Sequence, residues 1–213
     1  NNITDDIDKK QKNLYTCTKI AHKSLHYTFD KFGRFHTNFT NLKKEVRSNY
    51  LFINDKKVKE IDIRNSQPFF LYLLMKKFGY IKFDNYDKDV LNGDIYNNMS
   101  VIFGISRNET KKKIYSILFG KNLNTIWNKA FKNLYPEVYN FVVEYKKLAT
   151  NYKIIAHELQ KIESDFIFKV IVPKIYEQLN CPLITIHDSI IIQEDMYEEA
   201  NKIFYEELNK LII

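Results

Sequence analysis

Only tryptophan is rarer in this chain than cysteine. Cys17 and Cys181 are its two cysteines, far apart and in no C-x-x-C pattern, which argues against a disulfide scaffold and against a cysteine-ligated zinc site. Glycine (5) and proline (4) are almost as scarce, so long disordered linkers are not expected. No apolar run reaches the roughly 18 residues of a membrane span, and no signal peptide is visible. A cytoplasmic location without membrane contact is the expectation. The chain begins Asn1-Asn2 without methionine, as a processed or trimmed piece would. Internal repeats are absent too.

What is present is an ordinary globular balance, 28% charged and 45% hydrophobic. It is enough to bury a core as one large domain or two small lobes. Lys and Arg (33) outnumber Asp and Glu (26), for a formal charge of +7 and a pI near 9.1. That excess favours a polyanionic partner, nucleic acid being the commonest, although a solvated lysine face gives the same total.

Residues 181–194 read C-P-L-I-T-I-H-D-S-I-I-I-Q-E. Two β-branched arms flank His187-Asp188-Ser189, which predicts a hairpin presenting Asp188 at its turn. One buried strand whose aspartate caps the next turn is the alternative. Upstream, residues 58–63 alternate apolar and charged and predict a half-buried strand ending in Asp62. Asn65 or Ser66 then caps a helix with Pro68 in its first turn. Residues 69–78 are apolar almost all round, so that helix should be buried, and Gly79 stops it.

Residues 1–32 are polar with scattered aromatics and read as mostly helical. The segment from Gly33-Arg34 to Arg47 is basic and hydroxyl-rich. It could grip a phosphate backbone or form a solvated loop. Residues 82–92 read as a polar connection, and Gly93-Asp94-Ile95-Tyr96 opens a helix with apolar Met99, Val101, Ile102 and Phe103. Ser106 and Glu109 form a capping box. In the helix that follows, Arg107, Lys111, Tyr115 and Phe119 recur every four residues and share one stripe. The stripe is either a cationic and aromatic binding face or the solvated side of an amphipathic helix. Residues 124–148 predict one or two helices interrupted at Pro136. Residues 157–176 predict another, with Leu159, Ile162, Phe166, Ile167 and Val170 inward and a kink or break at Pro173. A last amphipathic helix covers residues 196–213.

These motifs, in this order, resemble the palm and fingers of family A nucleic-acid polymerases. The likeness extends from about Gly33 to Glu194. Arg107, Lys111, Tyr115, Phe119 and Gly120 match the fingers-helix pattern R-x-x-x-K-x-x-x-[FY]-x-x-x-[YF]-G, and Gly93-Asp94-Ile95-Tyr96 is similar to the D-I-H helix start. Asp62 with Ser66-Gln67 resembles motif A, and Ile186-His187-Asp188 resembles motif C. Gln160 and Asp165 match the Q-x-x-x-x-D helix, and Gly33-Arg34 with Leu42 resembles the segment preceding motif A.

The resemblance implies an α+β fold: a small antiparallel palm sheet with packed helices, a helical fingers lobe, no exonuclease domain and a reduced or absent thumb. By motif the chain divides into a thumb-like segment (1–32), a first palm part (33–92), fingers (93–150) and a second palm part (151–213). Asp62 and Asp188 would ligate two Mg²⁺ ions, or Mn²⁺, and be catalytic. Arg107 and Lys111 would bind the incoming triphosphate, Tyr115 would stack on its base or sugar, and Gln67 with Phe119 would face the 2′ position. Arg34, Gln160 and His187 would touch the primer–template. The partners implied are primer–template and nucleoside triphosphates, with an accessory protein or further domain supplying a thumb.

Several positions depart from the pattern. Arg64-Asn65 stands where the DNA polymerases have Ser-Gln, so the Ser66-Gln67 match is shifted by two. Ser189 replaces the glutamate that ends motif C, as in phage RNA polymerases. Phe119 replaces a tyrosine, and Tyr152 and Ala156 replace an Arg and an Asn ahead of Gln160. The expected activity is DNA synthesis. The alternatives are an RNA polymerase or primase-like enzyme on the same scaffold and a non-catalytic nucleic-acid-binding relative.

Overall fold

A computed structural model describes residues 2–31 and 33–212, with side chains from residue 7 onward. Asn1 and Phe32 of the expected N-terminal segment, and Ile213 of the expected last helix, lie outside the described residues. The fold is α+β. Packing divides the chain into two units, Asn1–Ile63 with Glu163–Ile213, and Arg64–Ile162.

The first unit begins with helix α1 (Asn2–Ala21), a hairpin of β1 (Tyr27–Phe29) and β2 (Phe35–Thr37), a 3-10 turn and α2 (Lys44–Tyr50). Strands β3 (Phe52–Ile53) and β4 (Lys56–Asp62) follow. The second unit holds α3 (Ser66–Lys77), α4 (Tyr86–Leu91), α5 (Ile95–Phe103), α6 (Arg107–Phe119), α7 (Ile126–Leu134) and α8 (Pro136–Leu148). Helix α9 (Ile154–Phe166) carries the chain from one unit to the other. A π-helical turn (Ile167–Ile171), α10 (Val172–Leu179), β5 (Leu183–Ile186), β6 (Ser189–Gln193) and α11 (Tyr197–Lys210) complete the first unit.

The main sheet of the first unit is antiparallel, in the order β3-β4-β6-β5. Its centre is β6, whose five residues are all buried. Ile190, Ile191 and Ile192 suit a strand covered on both faces. Helix α11 packs against β4 and β6, and its Tyr205 hydroxyl donates to the Asp62 carbonyl oxygen at 2.9 Å. The β3–β4 turn places Asn54 and Asp55 at φ 50° and 61°. A two-residue hairpin turn asks for that left-handed pair, and Asn and Asp tolerate it best.

The core of the second unit gathers Phe70, Leu71, Met75, Tyr86, Met99, Ile114, Leu118, Phe131 and Tyr135, all fully buried. Asn65 takes the cap position of α3 but in a left-handed conformation, and its side chain makes no capping bond. Residues 82–92 are more than the expected connection, because α4 lies within them. Tyr86 and Val90 anchor it inward, and the Tyr86 hydroxyl donates to the Pro68 carbonyl at 3.0 Å. On α5, Met99 and Phe103 are buried as expected, whereas Val101 and Ile102 face outward.

Further corrections concern the ends of the chain. Residues 27–29 and 35–37 pair as strands rather than continuing a helix or forming a loop. The expected kink near Pro173 is a π turn: the Val172 N–H donates to the Ile167 carbonyl five residues back. A wider turn just before a proline absorbs the ladder bond that the ring cannot make. Glu163 and Ser164 are buried there, while Ile162 and Val170 are only half-buried. Among the described residues no helix is long and apolar enough to cross a membrane.

Candidate functional site

Asp62 and Asp188 come to the same end of the central strand pair. Asp62 closes β4 and stands directly opposite Ser189, the first residue of β6. Asp188 precedes Ser189 in the β5–β6 turn, and its carbonyl oxygen accepts the Ile63 N–H at 3.4 Å. The turn is tight because His187 adopts φ 51°, a left-handed conformation that histidine tolerates better than most residues. The Asp62 side chain is 58% exposed, with the Lys44 ammonium 4.0 Å from its Oδ2.

A third acid shares this face. Glu60 lies two residues before Asp62, so the strand alternation turns both the same way. Its carboxylate is 3.5 Å from Lys44 Nζ, 3.7 Å from Arg47 Nη2 and 2.8 Å from the Ser189 hydroxyl. The basic segment that the sequence offered as a phosphate grip therefore has Lys44 and Arg47 turned onto Glu60. Period-2 alternation in residues 58–63 was the signal that could have singled Glu60 out.

Two primer–template candidates meet beside the acids. Arg34 Nη2 donates to Glu163 Oε1 at 2.6 Å, and Ser164 Oγ donates to the Gly33 carbonyl at 2.5 Å. These bonds tie the Gly33-Arg34 segment to the end of α9. His36 lies 3.2 Å from Asp30 Oδ2, and its ring meets the His187 ring edge-on at 5.3 Å. Burial, followed by the nearby Arg34 and His36 charges, pulls the His187 pKa below its usual value, while Asp188 and Asp30 oppose that shift. His36 lies in the segment that the sequence offered as a phosphate grip and Glu163 among the inward positions of its helix, but neither was singled out as a site residue.

The expected nucleotide residues belong to the second unit. Ser106 Oγ accepts the Glu109 N–H and Glu109 Oε2 accepts the Ser106 N–H, the full capping box. The Ser106 hydroxyl, which also donates to Glu109 Oε2 at 2.7 Å, and then the Ser106 N–H hold the Glu109 carboxyl below the usual range. One turn apart, the Arg107 guanidinium sits 5.3 Å and the Lys111 ammonium 5.8 Å from the Tyr96 ring centre. Lys111 is also 5.5 Å from the Tyr115 ring, and Tyr115 meets Phe119 at 5.4 Å. Burial, with Tyr115 beside it, drives the Tyr96 hydroxyl far above its usual pKa. The stripe is thus a continuous ladder of two exposed cations and two half-exposed rings on a buried tyrosine. Gln67, in the first turn of α3, is 6% exposed. Gln160 is half-buried on α9, and Asp165 pairs with Lys169 at 2.8 Å.

Among the described residues no group of three or more His, Cys, Asp or Glu side chains is arranged as a metal cage. The Asp62–Asp188 end of the sheet offers carboxylate and carbonyl oxygens, with the Lys44 ammonium and the His187 ring beside them. Those oxygens are a hard donor set that suits Mg²⁺, which binds through one or two carboxylates and keeps several waters.

Compared with models of protein families, with curated proteins and with solved structures, the chain has no significant match.

Proposed function

We propose that the protein is a template-directed nucleotidyltransferase, a minimal family A-like DNA polymerase. The observation that carries this reading is that Asp62, at the end of β4, and Asp188, in the turn that opens the adjoining β6, lie at the same end of the sheet. The acid pair, Arg34 and His187 fall in one unit and the α6 ladder in the other, which also takes residues 64–92 and 151–162 of the expected palm, with Gln67 and Gln160. A divalent pair held by the two aspartates would supply activation of the attacking hydroxyl and stabilisation of the leaving pyrophosphate. Arg107 and Lys111 bind the triphosphate, helped by the positive end of α6. Tyr115 stacks on the nucleoside, and Arg34 and His187 contact the primer–template.

Lys111→Ala raises the nucleotide requirement or slows incorporation by about tenfold or more, as loss of a charged hydrogen-bond partner does. Primer–template affinity stays within about twofold. A large loss of duplex binding with unchanged nucleotide kinetics would move α6 to the nucleic-acid groove.

A ribonucleotide-polymerising or primase-like enzyme is the second reading, favoured by Ser189. That hydroxyl is nonetheless buried against Glu60 and the Ile186 carbonyl, so it serves the strand pair and is a poor guide to the sugar. Gln67 is large enough to crowd a 2′-hydroxyl, but its amide can also hydrogen-bond to one. Deoxynucleotides are therefore preferred by roughly 10–200-fold, the range one small group provides. Gln67→Ala narrows this gap and Phe119→Tyr widens it. Primer extension with both nucleotide sets decides between the readings. Equal rates of ribo- and deoxynucleotide incorporation by the unmodified protein would replace the DNA assignment with the RNA one.

A further inference from the structure

Helix α6 ends on a lysine from another helix. Lys146, on α8, is 3% exposed, and its Nζ donates to the Ile117 carbonyl at 2.7 Å and to the Gly120 carbonyl at 2.8 Å. The carbonyls of a helix's last turn have no partner within the helix, and water normally satisfies them at a surface. Here they are met from inside the unit by a charged group whose burial is costly unless it is fully hydrogen-bonded. The cost is visible: burial pulls the Lys146 pKa down to about 8. Gly120 completes the arrangement, since a Cβ there would lie 2.5 Å from the Ser116 carbonyl oxygen. The chain leaves α6 in one shape, set by an absent side chain and a buried ammonium.

We propose that Lys146 is a positioning residue for the nucleotide. By holding the last turn of α6 it orients the Tyr115–Phe119 ring pair, and so sets base and sugar selection. This rests on the nucleotidyl-transfer reading, in which α6 is the nucleotide helix. Lys146 itself touches no substrate. The triphosphate ligands Arg107 and Lys111 belong to the other end of this 13-residue helix. Arg107 is roughly 20 Å of helix axis away from Gly120, at an end fixed by its own capping box. Loosening the last turn therefore disturbs recognition of the nucleoside and spares recognition of the phosphates.

The test uses the full chain with primer–template and Mg²⁺, and two variants. K146M keeps the length of the side chain and removes its donors, while K146R restores donors. Three probes are compared: the complementary deoxynucleotide, the matching ribonucleotide, and inorganic tripolyphosphate as an inhibitor. K146M should raise KM for the deoxynucleotide about tenfold, as displaced rings lose their stacking on the nucleoside, with kcat within about twofold. It should narrow the deoxy-to-ribo preference and leave tripolyphosphate inhibition unchanged, and K146R should recover most of the loss. Equal shifts for nucleotide and tripolyphosphate, or no shift in either, would overturn the proposal.

If K146M does not fold, hydrogen exchange on the unmodified protein decides instead. The nucleotide should slow the amides of residues 117–121 more than tripolyphosphate does, and equal slowing overturns the assignment. An unmodified protein that neither binds nor incorporates nucleotides defeats the polymerase reading itself, before any variant is made.

Discussion

Asp62→Asn and Asp188→Asn each abolish nucleotide incorporation, by about a thousandfold or more, and leave the fold intact. The size follows from the proposed role. A neutral amide holds a divalent pair poorly, and the several kcal/mol of transition-state stabilisation such ions supply is worth a factor of ten for every 1.36 kcal/mol lost. For Asp62 the fold survives because little of it uses the carboxylate. Asp62 is 58% exposed, and the Lys44 ammonium 4.0 Å from it is itself 61% exposed, a pair worth under about 1 kcal/mol. The bond from Tyr205 goes to the Asp62 backbone, not to its side chain. Primer extension beside thermal unfolding of each variant checks both halves. Incorporation by Asp62→Asn within about tenfold of the unmodified protein would remove the acid pair from the chemistry.

The second large effect is on stability. Arg34→Met costs about 3–5 kcal/mol, the usual penalty for taking one partner from a buried ion pair. Glu163 is 1% exposed and takes the Arg34 guanidinium at 2.6 Å, so its charge cannot be returned to water without opening the unit. The double variant Arg34→Met, Glu163→Met recovers most of the loss, because an apolar pair of similar volume replaces both charges. Urea unfolding of the single and double variants measures this. A loss under about 1 kcal/mol for Arg34→Met would mean that Glu163 is held well enough by its other contacts. Arg34 would then be free to serve the nucleic acid alone.

The sequence by itself determined the features whose cause is local. Ser106 and Glu109 are three residues apart, and their capping box forms as read because a helix start needs nothing more distant. The same holds for the Arg107–Lys111–Tyr115–Phe119 stripe, whose spacing matches the helix repeat, and for the helix break at Pro136. Strand alternation fixed the end of β4 at Asp62, and two β-branched arms around three polar residues specified the Asp188 hairpin. Other features depended on partners far along the chain. Glu163 falls in helical register with the inward Leu159, Ile162, Phe166 and Ile167, but what it and Ser164 meet there is Gly33-Arg34, reaching them from 129 and 131 residues away. Lys44 and Arg47, which the sequence offered as a phosphate grip or a solvated loop, and Lys146, which it did not single out, find Glu60 and the end of α6 as partners in the fold. Helix α4 was hidden by its polar residues, since two inward side chains, Tyr86 and Val90, are too few to make a periodic signal. Periodicity and capping act over one or two turns of backbone. Which polar groups may be buried depends on what the folded chain brings to meet them, and for these residues only the tertiary structure decided it.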